Sequence, residues 1–533
     1  MNAPNSSTGQ ERGAAHHFWV MPDSQSRWMW KHVAHDIAAR TGLQPIFIVP
    51  SPQDKRYYET CFDLPFQGEI VVSDDFYDLV VSGGSSGATD AAVRERARAY
   101  ERRHGIGMLR EMILADRHLG RGFIVGAKGH PTSAISEKAT LHLALQACLM
   151  STDFYDRLAE CYPPAFVIGY SIGGGLAGKP LALLCRERDI PFRSLASSRF
   201  GKHFYWAVDE LGRCPTFTHF FHGFRTLGDA EVAEVQCRVA PNALAGPEMM
   251  RALTRQLGWG QIVRKSLHQI AHKIYMRARG YRFGRIGYRT ESVIAQLMRS
   301  RRDFDRLRRI GAHSLDELQD RKIVFFPFQQ QPESSTLVLT PHFSNQFAIL
   351  VELALSLPAD AVLVVKEHPW QLGRRTRGIY EAILELPNVV MLAPTYPSLD
   401  IIRRSSAVCA ISSSAAHEAA VLGKPVLYFQ HGSTLDVLDH VHVLDSVDQL
   451  DRIRDILDDV TSEHEAKRRR DGARYLLALE AFCLEIDGPS IVMRQEPPSD
   501  EEQKKIADSL FASLGEQKAP GAEPAALAVR SAV

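Results

Sequence analysis

What most limits the folds open to this chain is the regular alternation between Lys322 and Phe429. IVFFPF, AVLVVKEHP, NVVMLAP, AVCAISSS and PVLYF are short apolar runs rich in β-branched residues. Between them lie helical stretches: Ser344–Leu357, Arg374–Leu386, Ser398–Ser405 and AAHEAAVLG. Strands this uniformly apolar are buried on both faces, which predicts a parallel, doubly wound sheet with helices on either side. The same alternation, less regular, starts at Phe18. FWVMP, PIFIVP, FIVGA, AFVIGYS and FRSLASS read as strands, and Ser26–Thr41, Ala91–His104 and Met108–Leu119 as helices. EIVVSDDFYDLVVS and a glycine-serine loop, SGGSSGATD, lie between them. Two such α/β domains predict a cleft, with ligands at the carboxyl ends of the strands.

At roughly 150 residues per domain, a chain of 533 has room for more than one core. The expected divisions are a tail at 1–14, a Rossmann-like domain at 15–250, a basic helical linker at 251–320 and a second doubly wound domain at 321–460. C-terminal helices at 461–514 and a second tail at 515–533 follow. Both tails are too polar and small-residue-rich to offset their ordering entropy by burial. From Arg251 to Ile310 the sequence holds sixteen Lys/Arg against three acidic residues, although the whole chain carries only +1. That overall balance argues against a nucleic-acid-coating protein; the local excess reads either as solvated helix faces or as a surface for anionic lipid or glycan. Eight scattered cysteines form no CxxC pair, which excludes a zinc ribbon or disulfide scaffold and fits a reducing compartment. With no apolar run of membrane-spanning length and no signal-peptide core, the expectation is a cytoplasmic protein, peripheral at most to the inner face of the inner membrane.

Two motifs carry the chemistry. Lys366, Glu367, His368 and Pro369 leave one strand, where an imidazole can donate to a phosphate oxygen. Ser412, Ser413 and Ser414 lead another strand into a helix, whose free N–H groups, hydroxyls and dipole suit a phosphate. Glu418, one turn inside that helix, is placed to accept from both hydroxyls of a ribose. Each motif also has a plain structural reading, as a turn histidine and a serine N-cap. In neighbouring crossover units of one sheet they specify a nucleotide pocket better than either does alone.

The stretch KEHP, PNVVMLAP and SSSAAHEAAVLGKPVLYF resembles the C-terminal half of the bacterial capsule and surface-polysaccharide glycosyltransferases of two-Rossmann (GT-B) architecture, a group that includes the Kdo transferases of capsule assembly. FPFQQQPESST, ADRHLG and SSRFGKHFYW extend the resemblance more weakly. It implies a GT-B-like α/β fold, His368 and Pro369 with Lys366 at the donor phosphate, Ser412, Ser413 and Ser414 at phosphate or base, and Glu418 at the ribose. It also implies catalysis in the cleft without an essential metal or cofactor. The implied donor is a nucleotide-sugar, CMP-Kdo first, bound by the domain at 321–460, and the acceptor, on the side of the domain at 15–250, is a capsular glycan or its lipid-linked form.

For the chemical step, Glu333 on the loop after IVFFPF is the first choice, as a base or as the carboxylate beside an oxocarbenium-like centre. Asp116, beside Arg117 and His118, is the second. Gly173, Gly174 and Gly175 complete a G-x-G-x-x-G. The acidic residue that an NAD site needs some twenty positions later is missing, so these glycines are read as a cleft loop. Gly178-Lys179 mimics a P-loop, but Pro180 stands where the Ser/Thr should be. G-Y-S-I-G raises the alternative of an α/β hydrolase with Ser171 as nucleophile and His440 or His442 as base. A non-catalytic assembly subunit is the third reading. Asp303-Phe304-Asp305 has DxD spacing but sits inside an arginine-rich helix, which disfavours a metal site.

Overall fold

The computed structural model describes residues 16–23, 26–73, 75–83, 89–122, 130–239, 247–278, 288–311, 315–318, 320–459, 461–486 and 496–516. Expected strand FIVGA, both tails, the centre of SGGSSGATD and the middle of the basic segment lie outside or partly outside these.

The first half contributes β1 (His17–Val20), β2 (Gln44–Val49), β3 (Glu69–Val72), β4 (Pro164–Gly169), β5 (Phe192–Ser197) and β6 (His203–Ala207). The second contributes β7 (Lys322–Pro327), β8 (Ala361–Lys366), β9 (Val389–Leu392), β10 (Ala407–Ala410), β11 (Val426–Tyr428) and β12 (Val441–Val443), after which β13 (Leu484–Glu485) follows. The second sheet has the order β12-β11-β10-β7-β8-β9 and is parallel throughout. The first has the order β13-β6-β5-β4-β1-β2-β3, with β1 to β5 parallel and β6 and β13 antiparallel at one edge. Each sheet is therefore doubly wound. Strand order reverses between β1 and β4 in one and between β7 and β10 in the other, and such switch points open a crevice at the carboxyl ends.

Period-two packing explains the strands. Along β7, Ile323 and Phe325 enter the hydrophobic cluster on one face, and Val324 and Phe326 the cluster on the other. The same duality separates Trp19 from Phe18 and Val20 on β1.

Packing does not follow the divisions expected from sequence. Phe217, Phe221, Val232 and Val235, on helices Pro215–Gly223 and Asp229–Cys237, belong to one core of the second sheet, with Tyr475 and Leu479. Helix Asp500–Glu516 returns to the first sheet. Its Ile506 and Leu510 are buried against Trp28 and Ile37, and Arg193 Nε donates to Ser513 Oγ at 3.1 Å. Helix Thr290–Ile310 bridges both halves. Near its start Ser292 Oγ accepts from Thr132 N at 3.0 Å, and further along Ser300 Oγ donates to Leu372 O at 2.7 Å.

Local limits also differ from expectation. The helix after β4 runs Gly175–Glu187 and carries Pro180 inside its first turns. Helix Met108–Ala115 stops at Asp116. The expected helix Arg374–Leu386 contracts to Ile379–Leu384, because Gly373 and Gly378 both take left-handed backbone angles.

Candidate active-site cleft

The loops leaving β7 and β10 are tied together by Gln329. With its amide oriented so that both ends are satisfied, Nε2 donates to Ser412 Oγ at 3.0 Å. Oε1 accepts from the backbone N–H of Ser412 at 2.7 Å and of Ser413 at 3.0 Å. Ser412 Oγ in turn donates to Ser335 O at 2.6 Å. Ser412, expected at the phosphate, therefore has its hydroxyl engaged inside the frame.

Ser413 is different. It is the N-cap of helix Ser414–Val421, yet makes no side-chain capping bond, and its Oγ is buried without a partner among the described residues. A buried hydroxyl without a partner costs about 1–3 kcal/mol, so this atom is suited to a ligand. Ser414 is the first helical residue, half-exposed beside it. Glu418, one turn on, is buried and close enough to Lys366 to act on its ammonium.

Lys366 ends β8, on the far side of β7 from β10. The imidazole motif and the serine helix tip thus emerge from the same edge of the sheet, separated by one strand. Lys366 Nζ donates to Ser398 Oγ at 2.7 Å; burial lowers the ammonium to about 8, against the favourable pull of Glu418. His368 caps the short turn Pro369–Gln371, and its Nδ1 accepts from Trp370 N at 3.3 Å. Burial, with the charges of Lys366, Arg375 and Arg374 nearby, lowers its imidazole to about 4. The ring is neutral at pH 7 with its proton on Nε2, which is the form able to donate to an anion. Pro369 opens that turn and fixes its backbone.

Glu367, fully buried, is structural. Arg375 forks onto it at 2.7 and 2.9 Å, Tyr380 OH donates at 3.0 Å, and Arg375 also donates to Gln329 O at 2.9 Å. This network fixes the exits of β7 and β8 relative to each other. Its neighbour Arg374 escaped the sequence reading. Its Nε is buried without an acceptor among the described residues, and the charge of Arg117, from the other half, lies close enough to weigh on it. A cation without an ion pair among the described residues, close to His368, was hidden because nothing in RRTRG separates the structural Arg375 from Arg374.

Across the cleft lies the switch point of the first sheet. Ile172, not Ser171, takes the left-handed angle, with φ of 53°. Gly174 abuts the second half directly: a Cβ there would overlap Val338 and crowd Ala115. Gly175, with φ of 64°, passes over Asp116, and Gly178 packs on Gly173. Next to this contact Leu337 is buried on Leu114 and Ala115.

Glu333 is half-buried at the N-cap of helix Ser334–Leu337, and its carboxylate accepts from Ser335 Oγ at 2.9 Å. Asp116 is buried and more fully used. Its Oδ1 accepts from His118 N and Leu119 N, each at 2.9 Å, and Tyr77 OH donates to Oδ2. Of the two carboxylates, Glu333 has the more open coordination.

Other sequence patterns have structural uses. Lys179 pairs with Glu210 and Glu111 at 3.3 and 3.4 Å, away from any phosphate role. Asp303 accepts from Gly373 N at 3.0 Å and Asp305 pairs with Arg301 at 2.7 Å. His440 donates through Nε2 to Ala420 O at 2.9 Å and lines, with His442, a cavity to which Ser171 does not belong. The Ser171–His440 or Ser171–His442 pairing that the hydrolase alternative requires is not formed among the described residues.

The fold and crevice define a two-domain, doubly wound α/β protein with facing switch points. Residues 267–433 match the family described as "Capsule polysaccharide biosynthesis protein". No curated protein matches the chain. Among solved structures, a putative UDP-N-acetylglucosamine 2-epimerase from Listeria monocytogenes aligns over 96% of this chain and 98% of its own, at 10% identity and TM-score 0.27. The beta Kdo 2,4 transferase KpsC of Thermosulfurimonas dismutans aligns over 50% and 69%, at 16% identity and TM-score 0.24. S. aureus MnaA with UDP aligns over 96% and 100%, at 9% identity and TM-score 0.27. The fold assignment rests on this chain's own strand order rather than on likenesses this distant.

Proposed function

We propose that this protein is a glycosyltransferase of the two-domain kind, acting in capsular or surface-polysaccharide synthesis. The second domain binds a nucleotide-sugar and the first presents a growing glycan or its lipid-linked acceptor. The single observation that carries the reading is Ser413 Oγ: a buried hydroxyl without a partner among the described residues, at a helix N-terminus on the carboxyl edge of a doubly wound sheet. Lys366 and a neutral His368 on the same edge supply the remaining donors. Glu333 is the proposed base or charge-stabilising group, with Asp116 in support from the other side. Cleft closure through the Gly174–Val338 contact orients the reactants and excludes water. CMP-Kdo is the first donor to test, and the match of 267–433 to a capsule-biosynthesis family supports the pathway.

Calorimetric titration with CMP, UDP and GDP tests the reading. One nucleotide is expected to bind saturably, with S413A and H368A each weakening it at least tenfold. Absence of saturable binding by all three overturns it.

The anionic-membrane partner has a specific candidate in helix Trp259–Ala278. Trp259, Val263, Leu267, Ile270 and Ile274 recur at helical spacing and are each between 43% and 65% exposed, while Ile262 faces the protein. The helix holds no acidic residue and includes Arg264, Lys265 and Lys273. An exposed apolar stripe with basic flanks suits insertion at an anionic headgroup layer. No helix among the described residues is long and apolar enough to cross a membrane.

A further inference from the structure

A small cavity lies between the two halves, about 80 Å³ in volume. That is room for roughly two or three waters, the size of a carboxylate or phosphate head rather than a nucleotide-sugar. Ser171, Ser197 and Arg199 line it from the first half, and His417, Gln430 and Thr434 from the second. Thirteen described residues form its wall, and none of these is acidic. Among them the permanent cation is Arg199, which forms no ion pair among the described residues.

Arg199 sits in the tight connection between β5 and β6 with φ of 71°. A left-handed angle costs an arginine roughly 1–2 kcal/mol, and glycine or asparagine would fill the turn with less strain. Hydrogen bonds hold the turn: Arg199 N donates to Ser197 Oγ at 3.2 Å, and Ser198 Oγ bonds to Phe200. Opposite, His417 is set by a relay. Thr434 Oγ1 and Tyr475 OH are 2.7 Å apart, and Tyr475 OH reaches His417 Nδ1 at 3.3 Å. When Thr434 donates to Tyr475 and Tyr475 to Nδ1, the proton of a neutral ring stands on Nε2. Burial lowers this imidazole to about 3, which keeps the ring neutral.

We propose that this cavity binds an anionic oxygen group, a carboxylate or a phosphate, held by the Arg199 guanidinium with His417 as second donor. The planar fork of arginine matches two oxygens of such a group, and the absence of a lining carboxylate leaves its charge available. The ligand group comes from either reactant, a sugar acid or a phosphorylated acceptor. The inference deepens the transferase reading and rests on it only for the identity of that reactant.

The test measures the thermal midpoint of the full chain against inorganic phosphate, glucuronate and glucose at constant ionic strength. Phosphate or glucuronate is expected to raise the midpoint saturably, and glucose to leave it unchanged. The tighter of the two anions identifies the source. R199N, which accommodates the left-handed turn, should weaken the apparent affinity at least tenfold, and R199G serves as a second turn-compatible variant. R199K, which keeps the charge without the fork, should fall between. K366A separates the two sites: it should weaken nucleotide binding while the Arg199-dependent response persists. A response in R199N and R199G that equals that of the native protein, or one that is equal for glucose and glucuronate, overturns the proposal. A missing nucleotide response together with an intact Arg199-dependent one overturns the nucleotide reading alone.

Discussion

The side chain of Gln329 reaches from the end of one central strand to Ser412 at the end of the next, meeting its hydroxyl at 3.0 Å and its backbone N–H at 2.7 Å. This pair closes the switch point of the second sheet and leaves the adjacent Ser413 hydroxyl without a partner among the described residues. Replacing Gln329 by leucine strands the backbone N–H groups of Ser412 and Ser413 and removes the donor to Ser412 Oγ, which keeps its own bond to Ser335 O. The expected loss is about 2–4 kcal/mol in urea unfolding, with weaker nucleotide binding. Unchanged stability would show that water replaces the amide.

Gly174 meets Val338 across the cleft. G174A should lower kcat/KM at least tenfold while changing the nucleotide dissociation constant less than threefold, because the proposed nucleotide contacts, Lys366, His368 and Ser413, all lie in the second half. V338A added to G174A should recover much of the loss, since it removes the overlapping atoms. Failure of this rescue would assign the glycine a purely local role.

Lys366 is lowered to about 8, so its charge is lost as pH rises through that value. Nucleotide affinity should fall between pH 7 and 9 in the native protein, with a midpoint at or above 8, because a bound anion favours the ammonium. K366A should bind more weakly at pH 7 and show no such fall. A matching pH profile in K366A removes Lys366 from the site.

Buried His130, His417 and His440 are lowered to about 4, 3 and 4, mainly by burial. Below pH 6.5 the unfolded chain takes up protons that these rings refuse when folded. Their stabilising effect is therefore fully present above pH 6.5 and lost as pH falls toward 4, at about 1.4 kcal/mol per unit for each. Denaturant titrations from pH 7 to 4 should show this slope, and H440Q should reduce it. A flat profile would mean that the rings protonate in place.

Helix Trp259–Ala278 should bring the protein up with floated vesicles containing phosphatidylglycerol but not with purely zwitterionic ones. V263E/L267E should abolish flotation while leaving nucleotide binding intact. Flotation indifferent to lipid charge or to this variant removes the membrane reading, and a change in oligomeric state on substitution assigns the stripe to self-association.

Read alone, the sequence determined the doubly wound class, the second sheet's first five strands and the placement of His368 and the serine cluster at strand exits. Each of those depends on local period and on turn residues that act within one crossover unit. It missed β6, β12 and β13, which are two to five residues long and stabilised by neighbours distant along the chain. It assigned helices Pro215–Gly223 and Asp229–Cys237 to the first half, because an apolar helix face does not name the sheet that buries it. It treated three serines alike, although folding engages Ser412 with Gln329 and leaves Ser413 unpaired. Only the tertiary structure decided which polar groups satisfy each other and which face the cleft, since a hydrogen bond between residues 83 positions apart leaves no periodic trace in the sequence.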